Sequence, residues 1–342
     1  MTSGLSAHVF SEAGELIASW RRPLLLSHTR PDCDAIGSLL AMRSFMRSWG
    51  VEPMAVQFNP TPPRYAALTC YPPMLVWGDD VSENDLAGVD GVVVLDTCTY
   101  TQLKPIADWL RSAPVAKVAV DHHVTRDDLA DKYVVDESAS ATCLILCEWA
   151  RALGWRMDDE ACHALFAGVA TDTGWFTHAN TDARTLAAAG DLISRGVVAN
   201  DVFRRLSQTD SPARIRLLGV LISGMELHAG DRFAVMSLKS DMLADLKARM
   251  SDTEEMINEP MRIASVLVSV LLIEQGDGIV RVSFRSKVAS GCGEVDVDVS
   301  NVAQSFGGGG HKRAAGARVA GTLEDVKGKV VAHIRNLLGD GG

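Results

Sequence analysis

The sequence predicts an α/β fold with two domains, the first built on a mainly parallel sheet and the second smaller. Short apolar runs alternate with helical patterns through the first half of the chain, whereas strand patterns follow one another directly after Gly230. The 342 residues also suffice for two domains of roughly 150 residues each. We expect a first domain over residues 1–195, a helical connector over residues 196–227 and a second domain over residues 228–342.

The first domain opens with an amphipathic helix pattern over residues 8–20 and then alternates strands and helices. Strand patterns occupy residues 23–27, 53–58, 88–95 and 115–120. Helical patterns occupy residues 39–49, 101–111, 140–153 and 159–170, and a proline-rich loop is predicted over residues 60–73. Because strands connected through helices pair in parallel, this order predicts the parallel sheet.

The remainder of the chain changes from helix to strand. Helix is predicted throughout residues 183–227, with Gly190, Gly196 and Pro212 as interruptions. Strand patterns follow at residues 233–238, 263–273 and 279–286, and the last two are joined by Gln275-Gly276-Asp277-Gly278, a hairpin signal. Helical patterns at residues 295–304 and 323–338 complete the second domain.

The composition is that of an ordinary globular protein, with 47% apolar and 22% charged residues. No secretory signal or apolar run long enough for a membrane span is visible, and the seven cysteines are scattered without CxxC spacing. These features predict a cytoplasmic protein with reduced thiols and no membrane partner. The net charge of −10 argues against binding of long nucleic acid.

Acidic residues and histidines gather where predicted strands and helices end, which is where α/β sheets bind ligands. They are His28, Asp32, Asp34, Asp96, Asp121, His122, His123 and Asp172. Carboxylates with imidazoles suit Mn²⁺, with Mg²⁺, Co²⁺ or Fe²⁺ as alternatives, and Cys33 is expected to face the core. These residues offer more ligands than one ion requires, so we expect two ions roughly 3.5–4 Å apart that share a carboxylate. Helix or turn capping is the alternative role for Asp96 and Asp172.

Four motifs, in this order, resemble those of the DHH phosphoesterase family. They are His28-xxx-Asp32-x-Asp34 with Ala35-Ile36-Gly37-Ser38 behind it, Leu95-Asp96, Asp121-His122-His123, and Thr171-Asp172-Thr173-Gly174. The glycines before His311, with Ala314-Ala315-Gly316 after it, resemble the family's associated substrate-binding domain. The chain length and the segment around Arg285 resemble the NanoRNase type, which includes oligoribonucleases and 3′-phosphoadenosine-5′-phosphate phosphatases. Cys33 stands where many relatives have glycine.

The resemblance implies a role for each of these residues. One metal ion would be held by His28, Asp32 and Asp96, and the other by Asp34, Asp96, His122 and Asp172. His123 would be a catalytic residue that faces the scissile phosphate, and Asp121 would orient a histidine. The far phosphate or sugar of the substrate would be bound by Arg285, by His311 and by the amides of Gly308, Gly309 and Gly310, although these glycines also suit a hinge or a turn.

The resemblance further implies a Mn²⁺-dependent phosphoesterase with a two-metal mechanism, whose active site lies in the cleft between the domains. Its substrates would be short oligonucleotides, including dinucleotides such as pGpG, and/or nucleoside 3′,5′-bisphosphates. A cyclic-dinucleotide phosphodiesterase and a catalytically silent nucleotide-binding regulator are the alternatives, and the segment around His311 disfavours an inorganic pyrophosphatase. The helices predicted between residues 140 and 227 carry enough apolar residues to support a homodimer.

Overall fold

A computed structural model describes residues 4–68, 74–287 and 296–339 of the chain. The chain divides into two compact units, with the boundary between Thr209 and Asp210. Each unit combines helices with one six-stranded sheet, so the predicted α/β class is confirmed. Among the described residues, no helix combines the length and the apolar character that a bilayer span requires.

The first unit is built on a parallel sheet. Its strands are β1 (Pro23–Ser27), β2 (Met54–Gln57), β3 (Leu75–Val76), β4 (Gly91–Leu95), β5 (Ala116–Asp121) and β6 (Lys132–Val135), and they lie in the order β3-β2-β1-β4-β5-β6. From β1 the chain moves outward to β2 and β3, and then returns to place β4 on the other side of β1. The strand order therefore reverses between β1 and β4, which is where open α/β sheets bind ligands.

Helices and loops cover both faces of this sheet, which explains why β1 and β4 are buried along their whole length. The helices are α1 (Ala7–Ala18), α2 (Cys33–Ser48), α3 (Ala107–Ser112), α4 (Thr142–Leu153), α5 (Asp159–Asp172), α6 (Ala183–Ser194) and α7 (Ala199–Ser207). Leu25 and Val93 belong to the core formed with α1, α2, α4 and α5. Leu24 and Val92 belong to the core that includes α3.

Helix α2 begins at Cys33, well before the predicted start at residue 39. The Asp32 carboxylate caps it by accepting the amides of Asp34 at 3.0 Å and Ala35 at 3.1 Å. The first turn of a helix, rather than a loop, therefore fixes Asp32 and Asp34. Cys33 is buried in the core, as predicted.

Other differences from the prediction in the first unit are local. The short strands β3 and β6 were not predicted. Residues 101–111 contain a 3-10 helix, Lys104–Ile106, followed by the short helix α3, instead of one longer helix. The loop predicted over residues 60–73 contains a 3-10 helix at Pro63–Leu68, and its last residues, 69–73, lie outside the described residues.

The second unit has a mixed sheet with helices on it. Its strands are β7 (Glu226–His228), β8 (Phe233–Leu238), β9 (Val268–Gln275), β10 (Ile279–Ser286), β11 (Gly309–His311) and β12 (Ala314–Ala320), in the order β11-β12-β10-β9-β8-β7. Its helices are α8 (Pro212–Ser223), α9 (Ser240–Asp245), α10 (Val299–Gln304) and α11 (Leu323–Leu337). Helices α10 and α11 pack on one face, while α8 and the 3-10 helix Met256–Arg262 cover part of the other.

Two predicted elements of the second unit begin later than predicted. The strand predicted over residues 263–273 begins only at Val268, because residues 263–266 form a turn in which the Val266 amide donates to the Ile263 carbonyl at 3.2 Å. The helix predicted over residues 295–304 is α10, which starts at Val299, and residue 295 lies outside the described residues. The segments of β11 and β12, rich in glycine and alanine, were not predicted as strands.

The residues predicted as one connector, 196–227, are divided between the two units. Val202 and Leu206 of α7 pack in a core of the first unit. Leu217 and Leu221 of α8 pack in a core of the second unit.

Candidate metal centre

The predicted metal ligands and catalytic residues of the first domain lie together at the carboxyl end of the parallel sheet. His28 directly follows β1 and Asp96 directly follows β4, the two strands between which the strand order reverses. Asp121 is the last residue of β5, and Asp172 is the last residue of α5. The sheet topology thus brings together residues that are far apart in the sequence.

One cluster consists of His28, Asp32 and Asp96, whose potential ligand atoms lie within 4.8 Å of one another. His28 Nε2 lies 3.4 Å from Asp96 Oδ2 and 4.0 Å from Asp32 Oδ1. His28 Nδ1 lies 3.0 Å from the Thr29 carbonyl oxygen. Because a carbonyl can only accept, Nδ1 carries the proton and the lone pair of Nε2 faces the carboxylates.

A second cluster consists of Asp34, His122 and Asp172. His122 Nε2 lies 3.7 Å from Asp172 Oδ2 and 3.6 Å from Asp96 Oδ1. His122 Nδ1 lies 3.3 Å from the Ala139 carbonyl oxygen, so the proton again stays on Nδ1 and Nε2 is free to bind a cation.

Asp96 connects the two clusters because its carboxylate oxygens face different histidines. Oδ2 is the oxygen near His28, and Oδ1 is the oxygen near His122. The Asp96 side chain is almost fully buried, and its backbone has a φ of 62°, in the left-handed region that aspartate tolerates better than most residues. Its amide donates to the Val120 carbonyl at 2.9 Å, which holds this turn at the end of β4.

Burial and mutual repulsion raise the pKa of three carboxyls in these clusters. Burial raises the pKa of Asp34, and the Asp32 charge adds to this shift. Burial also raises the pKa of Asp96 well above its ordinary value, and Asp34 contributes next. Burial followed by the charge of Asp34 raises the pKa of Asp172 to about 7. A bound cation would relieve this repulsion.

The donor set fits divalent metal ions. A third donor cluster among the described residues consists of Asp96, His122 and His123, and all three clusters contain carboxylate oxygens and imidazole nitrogens without a thiol. Ligand atoms that lie about 2.0–2.2 Å from one ion are separated by roughly 3–3.5 Å. The separations of 3.4–3.7 Å between the histidine Nε2 atoms and Asp96 or Asp172 are close to this range. The residues therefore could hold two ions with Asp96 between them.

His123 and Asp121 form a dyad beside the clusters. The buried Asp121 Oδ1 accepts His123 Nδ1–H at 2.7 Å and the amides of His122 and His123 at 2.8 and 3.1 Å. Burial opposes ionisation of Asp121, but the hydrogen bonds and charge of His123, together with a hydrogen bond from Cys98, outweigh it and lower the pKa of this carboxyl. The same hydrogen bond raises the pKa of His123. The His123 side chain is 55% exposed, so this imidazole is accessible to a ligand.

Arg285 and His311 lie in the second unit, on one face of its sheet. Ala314 of β12 pairs with Arg285 of β10 on one side and with His311 of β11 on the other. Directly opposed residues of antiparallel strands point to the same face, so the two side chains flank Ala314. Burial lowers the pKa of the partly buried Arg285, and a bound anion would stabilise its charge.

The glycines before His311 allow close packing of β11 against β12. A Cβ atom on Gly308 would overlap the Gly316 carbonyl oxygen, and Gly310 has a φ of 147°. The Gly308 amide donates to the Ala303 carbonyl at 2.8 Å. The Gly308 amide is therefore engaged within the unit in this structure, and its contact with substrate stays a prediction. For Gly309 and Gly310 a substrate contact also stays a prediction.

The sequence reasoning missed residues that hold the ligands. Thr142 donates its amide to Asp34 and its hydroxyl to Asp96. Asn180 Nδ2 donates to the carbonyl oxygens of Asp172 and Ser140. No local signal in the sequence indicated Thr142, because the predicted helix over residues 140–153 does not begin there, whereas the helix in the structure does.

Comparison with protein families gives two matches that together cover most of the chain. Residues 24–169 match the DHH family, N-terminal domain, and residues 230–340 match the DHHA1 domain.

Two relatives bear the name bifunctional oligoribonuclease and PAP phosphatase NrnA. The protein from Thermus thermophilus is 29% identical over 95% of this chain and 93% of its own length. The protein from Bacillus subtilis is 27% identical over 86% of this chain and 88% of its own length. Among solved structures, an exopolyphosphatase-related protein from Bacteroides fragilis aligns with a TM-score of 0.87 and 23% identity over 99% of this chain and 100% of that chain. This structure shows that the fold is shared.

Proposed function

Since this chain belongs to the DHH family of phosphoesterases, we propose that it is a metal-dependent enzyme that hydrolyses short oligonucleotides, nucleoside 3′,5′-bisphosphates or both. The observation that carries the proposal is the placement of Asp96 between two clusters of carboxylate and imidazole ligands. The names of the relatives, oligoribonuclease and PAP phosphatase, support the substrate class.

The proposed ions are Mn²⁺, which accepts both oxygen and imidazole ligands. His28 and Asp32 would hold the first ion, and Asp34, His122 and Asp172 would hold the second. Asp96 would bind both, one through each carboxylate oxygen. When bound, the two ions supply positive charge for the phosphoryl oxygens and activate a water molecule for attack on phosphorus.

His123 and Asp121 would act on the leaving group. The hydrogen bond to Asp121 raises the pKa of His123 and so favours the imidazolium form. When water adds to phosphorus and the bond to the leaving oxygen breaks, His123 Nε2 would donate its proton to that oxygen or stabilise its charge. Asp121 acts through His123 and is a positioning residue, since it is buried.

The substrate contacts are proposed for the second unit. Arg285 and His311, on one face of the sheet, would bind a phosphate or sugar distant from the cleaved bond. An arginine suits a phosphate because its planar guanidinium can form two parallel hydrogen bonds with it. Gly309, the first residue of the edge strand β11, lies between Gly308 and Gly310 and has open space at its Cβ position, so a ligand could approach its backbone.

The test is a turnover panel with chelator-treated protein to which Mn²⁺, Mg²⁺ or Co²⁺ is returned. The substrates are pGpG, RNA of two to five nucleotides, a nucleoside 3′,5′-bisphosphate, a cyclic dinucleotide and pyrophosphate. We expect mononucleotide release from the linear dinucleotide, phosphate release from the bisphosphate, or both. Turnover of the cyclic dinucleotide alone would instead identify a cyclic-dinucleotide phosphodiesterase. Nucleotide binding without turnover under any metal would identify a silent regulator.

Two histidine variants test the roles within the centre. His122→Ala should weaken Mn²⁺ binding measured by calorimetry, whereas His123→Ala should keep Mn²⁺ bound and lower turnover by about 10²–10⁴. His163→Ala is the control, because this partly buried histidine contacts only the Asp159 carbonyl of its own helix among the described hydrogen bonds. Equal loss of metal in both variants would contradict the separate roles of His122 and His123.

A further inference from the structure

The beginning of α4, just after the connection from β6, contacts ligands of both proposed ions without containing a ligand itself. We name residues 136–141 the β6–α4 segment; Thr142 follows it as the first residue of α4. The Thr142 amide donates to Asp34 Oδ2 at 2.7 Å, and the Thr142 hydroxyl donates to Asp96 Oδ1 at 2.9 Å. Thr142 is fully buried. One residue thus contacts the bridging carboxylate and a ligand of the second ion.

We propose that Thr142 is a positioning residue that fixes the geometry between the two metal sites; the proposal rests on the metal centre described under the proposed function. A bridging carboxylate must present one oxygen to each ion. The Thr142 hydroxyl has a single proton, and this proton goes to Asp96 Oδ1, the oxygen on the His122 side. The hydrogen bond therefore holds the plane of the carboxylate, so that Oδ2 stays directed toward His28.

The beginning of α4, which holds Asp96 through the Thr142 hydroxyl, also holds Asp34. Ala141 occupies the N-cap position and offers no side-chain acceptor, so the first amides of the helix need an acceptor from elsewhere. Asp34 provides it, with Oδ2 on the Thr142 amide and Oδ1 on the Cys143 amide at 3.0 Å. The amides and the helix dipole favour a negative charge at this point, which partly offsets the cost of burying Asp34. Its carboxylate is thereby oriented before any ion binds.

The β6–α4 segment is itself anchored, so it can act as a rigid support. Arg184 of α6 binds Asp136 at 2.8 Å and Glu148 of α4 at 2.7 Å. The hydroxyls of Thr185 and Ser140 are 2.9 Å apart, and Asn180 Nδ2 donates to the Ser140 carbonyl at 3.2 Å. Helix α6 and the turn before it therefore hold the β6–α4 segment and the start of α4 in place. These elements in turn hold Asp34, Asp96 and His122.

The test compares Thr142→Val with Thr142→Ser in the full chain. Valine keeps the shape and the backbone amide but removes the hydroxyl, and serine restores the hydroxyl. We expect Thr142→Val to weaken Mn²⁺ binding about 10–100-fold in a calorimetric titration of chelator-treated protein. Thr142→Ser should lie within a few-fold of the wild type. Thr253→Val is the matched control, a buried threonine of the second unit whose hydroxyl donates to the Met250 carbonyl.

Metal-binding data test the proposal for Thr142, and activity data test the proposed enzyme function separately. Wild-type Mn²⁺ affinity in Thr142→Val, or an equally weak Thr142→Ser that is folded by circular dichroism, would overturn the proposal. If Thr142→Val does not fold, Thr142→Ala, which introduces no extra bulk, is titrated in its place and judged by the same criteria. If the wild type binds Mn²⁺ but turns over none of the substrates, the proposed activity fails while the Thr142 comparison stands.

Discussion

A glycine in α5 should control the position of Asp34, and its replacement by alanine gives a quantitative test. A Cβ atom on Gly168 would lie 2.8 Å from Asp34 Oδ1 and would also overlap the Cys143 sulfur. Both neighbours are fully buried, so they have no room to move away. Overpacking of this kind costs about 1–3 kcal/mol of unfolding free energy.

Gly190→Ala is the matched control for this change. Gly190 is also inside a helix, but it is exposed and has nothing within 4 Å of its Cβ position. Alanine is a better helix former than glycine by about 1 kcal/mol, and this gain is common to both variants. The difference in unfolding free energy between them is therefore the overpacking cost, about 1–3 kcal/mol. For a unit of this size each kcal/mol shifts the melting temperature by about 2–4 °C.

The assay combines thermal unfolding of the metal-free variants with calorimetric Mn²⁺ titration. We expect Gly168→Ala to melt several degrees below Gly190→Ala and to bind Mn²⁺ at least tenfold more weakly, because its Asp34 carboxylate is displaced. Equal melting temperatures together with equal Mn²⁺ affinities would refute the reasoning, since they would show that the contact between α5 and Asp34 does not fix the carboxylate.

Three further predictions concern charge. Asp121→Asn should move the alkaline limb of the pH–activity profile to lower pH, because the hydrogen bond to Asp121 raises the pKa of His123; an unmoved limb contradicts this role. Metal-free protein should melt at a higher temperature at pH 5.5 than at pH 8, because Asp172, with its pKa raised to about 7, takes up a proton preferentially in the folded state. Saturating Mn²⁺ should remove this trend, and a flat metal-free profile would contradict it. Arg285→Ala should raise KM for short oligonucleotides with unchanged Mn²⁺ binding, whereas Arg262→Ala, an exposed arginine of the same unit, should not.

The sequence was most informative where a strand ends in a polar residue. Asp96 and Asp121 each follow a run of buried apolar residues, so their place at the carboxyl end of the sheet could be predicted from the pattern alone. The first turn of α2 was harder to predict, because Asp32 is both a cap and a candidate ligand, and its capping role appears only from its hydrogen bonds.

The elements that were missed lack a local signal. Strand β6 has only four residues and no continuous apolar run, and β12 is rich in alanine, which is uncommon in strands. The support of Asp34 by Thr142 joins residues 108 positions apart, so no pattern within a window of the sequence reveals it. Contacts of this kind depend on which helix the sheet places beside which strand.

The order of the strands determines when the metal centre can form during folding. Its ligands follow β1, β4 and β5 or end α5, and parallel neighbours such as β1 and β4 pair only after a long crossover has been closed. No short segment holds a complete cluster, so the chain must complete these slow, non-local pairings before it gains any energy from the ions. An ion that binds only the completed unit then stabilises it against global unfolding, by about 2.7 kcal/mol at a concentration one hundred times the Kd.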